Sequence, residues 1–130
     1  MKHIRLLIVT VTLMALPLSV FAEADHASHD KKGKTQEIQG HLVELSCYLK
    51  HDAIGEKHRD CAKDCAEKGL PLGILTKDGT LYHIMGEGHQ DLVSVNKKLV
   101  DYLEQDVKVV GEVFEKNHTR VVVIQKIKKL

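Results

Sequence analysis

Three cysteines and one histidine are spaced so that they can hold a metal ion. Cys47 stands apart, and His58-Arg59-Asp60-Cys61-Ala62-Lys63-Asp64-Cys65 puts an imidazole and two thiols in one short run. On an α-helix, positions i, i+3 and i+7 fall within roughly 60° of one another around the axis. His58, Cys61 and Cys65 are therefore expected to form one stripe. Cys47, facing that stripe, completes a set of one imidazole and three thiolates. Zinc takes such a set in tetrahedral sites, and soft thiolates also suit copper(I).

The N-terminus bears on the state of those thiols. Lys2 and Arg5 precede an apolar run from Leu6 to Leu16, followed by Pro17 and the small-residue end Val20-Phe21-Ala22. These are the parts of a cleaved signal peptide over residues 1–22, with Ala24 an alternative cleavage point. A membrane span needs about 20 consecutive apolar residues, and this run is roughly half of that. Export to the periplasm, or secretion, places the cysteines in an oxidising compartment, where thiols pair unless something else holds them. Three is an odd number, so at least one must be free, intermolecular or a metal ligand. Two tethers compete. A disulfide from Cys47 to Cys61 or Cys65 accounts for two cysteines and leaves a disulfide-stapled module that binds a protein or small ligand. A metal accounts for all three and for His58. The odd count and the helical register favour the metal, although the spacing matches no standard zinc finger. Both stay open.

Other chemistries find little support. The chain carries 19 Lys+Arg against 18 Asp+Glu and no Trp, and loss of Lys2 and Arg5 keeps it near neutral. That gives no electrostatic case for nucleic acid. There is no C-x-x-C for a thioredoxin-like centre, so a thiol-redox role for Cys61 and Cys65 is the weaker alternative. No C-x-x-C-H marks a haem, and Gly86-Glu87-Gly88 lacks phosphate-binding spacing, so neither haem nor a nucleotide is expected. An enzyme is the least supported class. His83, Met85 and His89 form a second, weaker cluster. His26 and His29 lie in the polar stretch 23–35, read as a disordered leader. His41, His51 and His118 carry no pattern.

The elements that must position the cysteines follow from periodicity. A strand starts at Gln36 and runs up to Ser46-Cys47, and a polar stretch leads to Gly55. Glu56 to Lys68 reads as a helix ended by Gly69 and Pro71. Leu72–Thr76 and Leu81–Met85 form a hairpin around Asp78-Gly79, a pair suited to a tight primed turn. Asp91 to about Glu104 is a helix with Leu92, Val95, Leu99 and Leu103 on one face. Val107–Phe114 and Thr119–Ile127 alternate and are rich in β-branched residues. This order predicts a mainly β fold with helices over residues 36–130: a small OB-like five-stranded β-barrel with a Cys-bearing helical insertion between strands 1 and 2.

The inserted helix has only Cys61, Ala62, Cys65 and Ala66 as apolar side chains. At about 25 cal/mol per Å² of apolar surface, burying these holds it far less well than a Leu or Ile face would. A covalent or coordinate tether is expected to supply the rest. The chain resembles uncharacterised exported bacterial proteins of OB-like type through Glu44-Leu45-Ser46-Cys47-Tyr48-Leu49, through His58-x-x-Cys61-Ala62-x-x-Cys65-Ala66, and through Gly69-Leu70-Pro71-Leu72-Gly73-Ile74-Leu75. The resemblance implies the fold and a role for the Cys/His set, and carries no activity with it. The expectation is an exported binding protein holding zinc or copper through Cys47, His58, Cys61 and Cys65, with no stable membrane insertion after cleavage.

Overall fold

Alternation along the strands sets which side chains meet. In β4 (Asp106–Lys116), Val107, Val109, Gly111 and Val113 are buried, and the residues between them are not. β1 (Lys34–Glu44) turns Ile38 and Leu42 inward and is buried on both faces over Leu42, Val43 and Glu44. β2 (Leu72–Leu75), β3 (Leu81–Met85) and β5 (Thr119–Lys129) complete a closed barrel in the order β1-β2-β3-β5-β4. The computed structural model describes residues 32–130. The expected signal peptide, 1–22, and most of the polar stretch 23–35 lie outside the described residues.

β1 pairs antiparallel with β4 along Lys34–His41, with Ile38 opposite Val109, and antiparallel with β2 beyond that, with Leu42 opposite Ile74. β3 and β5 run parallel, Ile84 opposite Val122, and a bulge between Val110 and Gly111 interrupts the β4–β5 ladder. This is the expected five-stranded OB-like order, with a helical segment between β1 and β2. The core inside it gathers Leu42, Leu72, Ile74, Val107, Val109 and Val122, all fully shielded. Among the described residues, no helix is long and apolar enough to cross a membrane.

The departures from expectation lie outside the barrel wall. Leu45–His51, expected to end the first strand and open into a loop, is a helix, α1. Its start is set by Glu44, whose carboxylate accepts from the N–H groups of Ser46 and Cys47, each at 2.8 Å. Asp52, in the left-handed region, ends it by donating its N–H to the carbonyls of Cys47 and Tyr48. The second helix begins as a 3-10 turn over Glu56–His58 before α2 (Arg59–Glu67) takes over. The helix expected from Asp91 to Glu104 is a short α3 (Leu92–Asn96) followed by a separate 3-10 turn over Val100–Tyr102. Its apolar residues Val95, Leu99 and Leu103 are nonetheless buried. The Asp78-Gly79 hairpin is a wider loop than a primed turn: only Gly79 has a positive φ, +83°, and the Asp78 carboxylate is held by Thr76 and Thr80.

Candidate metal centre

The cysteines sit on two elements that the barrel holds face to face. Cys47 is in the first turn of α1, directly after β1, while Cys61 and Cys65 lie one turn apart on α2. Their three Sγ atoms lie within 4.8 Å of one another. All three are free thiols: no disulfide joins them. Cys61 is exposed, and Cys47 and Cys65 are half-buried.

His58 enters the group from another side than the helical stripe suggested. A ring nitrogen of His58 lies within 4.8 Å of Cys47 Sγ and of a Glu44 carboxylate oxygen, but His58 does not join Cys61 and Cys65 in a common group. The 3-10 turn explains the change. Its residues wind at 3.0 per turn rather than 3.6, so the angular register expected for a continuous α-helix is lost at His58. Cys47 is thus the shared member of two sets, Cys47/Cys61/Cys65 and Glu44/Cys47/His58. The Nε2 of His58 is buried and has no hydrogen-bond partner among the described residues. A buried polar atom left unpaired costs about 1–3 kcal/mol, and a metal ion would satisfy it.

In the sequence Glu44 stands only as the first residue of a motif that carries the resemblance, with no role of its own. Glutamate is not among the favoured helix N-caps, which is why the position carried no signal. It is fully buried at the junction of β1 and α1. Burial opposes its ionisation, but the N–H groups of Cys47 and Ser46 outweigh that and hold the carboxyl below its ordinary range. Because both carboxylate oxygens accept from the backbone, Glu44 serves first as a fixed negative charge beside the thiols. The Cys47 thiol hydrogen-bonds this carboxylate and is pushed up to about 12, with burial and the charges of Glu44, Cys65 and Cys61 acting in the same direction. Burial, Glu44 and Cys61 raise Cys65 as well. A cation inverts this arrangement. The negative field that keeps the thiols protonated attracts a metal ion, and metal binding deprotonates coordinating thiols outright.

What fixes α2 is largely polar. Ala62 and Ala66 are fully buried against the core, as the only buried residues of the helix. From α3, the buried Asn96 donates from Nδ2 to the carbonyls of Ala66 and Leu70, each at 2.8 Å, and so caps the C-terminal end of α2. Arg59 Nε donates to Leu103 O at 3.2 Å. Ahead of the 3-10 turn, Gly55 donates its N–H to the buried Glu104 carboxylate at 2.6 Å. Gly55 has φ +95°, a value that disfavours any side chain there. His41, which showed no pattern in the sequence, lies between Glu104 (3.4 Å) and Asp106 (2.9 Å). The covalent tether weighed for the cysteine helix is not formed, and hydrogen bonds placed away from the thiols hold the helix.

His83 is half-buried on β3 opposite Gly73, Met85 is half exposed at the strand's end, and neither His83 nor His89 joins a metal-capable group among the described residues. No protein-family model matches the chain, and neither the curated proteins nor the solved structures compared with it give a match.

Proposed function

We propose that this is an exported, periplasmic or secreted, non-enzymatic protein that binds one transition-metal ion, zinc or copper, through the thiolates of Cys47, Cys61 and Cys65. His58 is the fourth ligand, reached through its position beside Cys47. The observation that carries this reading is the convergence of three free thiols from two separate elements within 4.8 Å. Soft thiolates select copper(I) and zinc over hard cations, and a ring nitrogen of His58 supplies a borderline donor beside Cys47. Lys2 and Arg5, the apolar run Leu6–Leu16 and the small-residue end Val20-Phe21-Ala22 support export. Glu44 sets the charge of the site without being needed as a ligand.

Native mass spectrometry of the purified protein, with and without a chelator, tests the reading. The expected result is a single zinc or copper adduct that the chelator removes, leaving three thiols open to alkylation. One disulfide with no metal adduct would instead establish the disulfide-stapled module. Replacement of His58 by Ala should weaken metal binding by about 10- to 100-fold, in the range of lost metal-site contacts; an unchanged affinity removes His58 from the site.

A further inference from the structure

We infer that the metal is exchangeable cargo, passed through Cys61 to a sulfur donor on an acceptor protein, and that it has no part in holding the fold together. This rests on the metal-binding reading above and assigns that site its use. Two observations point the same way.

The first is that every element carrying a ligand is held by contacts that involve none of the thiols. α1 is capped at its start by Glu44 and at its end by Asp52. The 3-10 turn bearing His58 is pinned through Gly55 to Glu104. α2 is fixed by Asn96 at one end, by Arg59 at the other, and by Ala62 and Ala66 between them. None of these contacts uses a thiol. Structural metal sites behave differently: their ligands are scattered until the ion gathers them, and the metal-free chain unfolds. Here contacts independent of the thiols anchor each of these elements, so the scaffold is expected to stand when the ion is removed.

The second is the asymmetry of the three thiols. Cys61 is exposed, whereas Cys47 and Cys65 are half-buried between α1, α2 and the barrel. An incoming ligand therefore approaches the ion from the Cys61 side. The transfer is a ligand exchange with no change of oxidation state. A sulfur of the acceptor forms a bond to the metal, the bond from the metal to Cys61 Sγ breaks, and a proton released by the acceptor thiol goes to Cys61. Two further acceptor thiols displace Cys65 and Cys47, each releasing a proton that the departing thiolate takes up, and His58 leaves as a neutral imidazole whose place water or a neutral acceptor group takes.

The test uses the purified protein loaded with zinc, and metal-free protein made by chelation under reducing conditions. Zinc titration comes first: failure to bind at all overturns the metal-binding reading itself, independently of its use. Given binding, the metal-free protein is expected to keep its far-UV circular dichroism and its dispersed amide NMR spectrum. Zinc transfer to a thiol-bearing chelator is expected to speed up in proportion to the chelator concentration. Under limiting maleimide, Cys61 of the loaded protein is expected to be modified before Cys47 and Cys65. A metal-free protein that is unfolded would assign the ion a structural role. A transfer rate independent of chelator concentration, or modification of Cys47 or Cys65 ahead of Cys61, would also overturn the inference.

Discussion

Leu42, Leu72, Ile74, Val107, Val109 and Val122 are fully shielded inside the barrel, whereas between α1 and the end of α2 only Leu45, Ala62 and Ala66 are buried. The barrel is held by apolar packing spread over every strand. The insertion is held by a handful of hydrogen bonds, each worth about 1 kcal/mol net. Both are well positioned, but for different reasons, and the difference is what leaves room for chemistry. A helix that had to bury a Leu or Ile face could not also turn two thiols toward a third. By taking its anchors from Asn96, Arg59 and Gly55, α2 keeps its cysteines available.

The comparison can be broken most severely from the barrel side. Ile74→Ala removes a fully buried side chain opposite Leu42 and should cost about 2–5 kcal/mol, read from the urea midpoint. If the loss is below about 1 kcal/mol, the barrel is not the main source of stability. Asn96→Ala removes both bonds that cap α2 and should cost about 1–3 kcal/mol. Its signature is local: amide hydrogen exchange should accelerate through α2 while the β1–β4 ladder stays protected. Equal acceleration in both would show that the insertion and the barrel open as one unit.

Glu44→Gln sharpens the comparison at the junction. It removes the charge beside the thiols, so Cys47 should fall from about 12 toward its ordinary value of 9.0, which the pH dependence of its alkylation would show. The sign for stability follows. In the metal-free native state Cys47 keeps its proton where an unfolded chain loses it, so stability is full below the ordinary thiol range and declines as pH rises from there toward 12. In Glu44→Gln that alkaline decline should be smaller; an unchanged decline would place its cause elsewhere. Arg59→Ala should have the smallest effect, at most about 1 kcal/mol. Its pair with Glu56 is exposed to solvent, and one bond to Leu103 O is lost.

The same division decides what can be read from the sequence. The barrel strands announce themselves, because one-sided or two-sided burial leaves period-2 or continuous β-branched runs such as Val107–Phe114. The three cysteines of the candidate site were also legible, since an odd count in a chain read as exported needs an explanation. The local geometry around them was not. α1 was hidden because Leu45-Ser46-Cys47-Tyr48 continues a strand-like run and its cap is a glutamate. The displacement of His58 depends on a 3-10 turn, which leaves no periodic signature over three residues. The break after Asn96 was equally silent: the apolar spacing through Leu103 is helical, while the structure commits the Asn96 side chain to carbonyls of a different element. Polar anchors across more than 25 residues of sequence, such as Glu104 to Gly55 and Asn96 to Leu70, leave no local pattern to find.

The central claim is that three thiolates from α1 and α2 close on a single ion. X-ray absorption at the metal edge of the zinc-loaded protein tests it most directly, because it counts the sulfur neighbours. Three sulfurs at about 2.3 Å with one nitrogen is the predicted shell. A shell with one sulfur or none, or a protein that takes up no zinc while fully reduced, would contradict it.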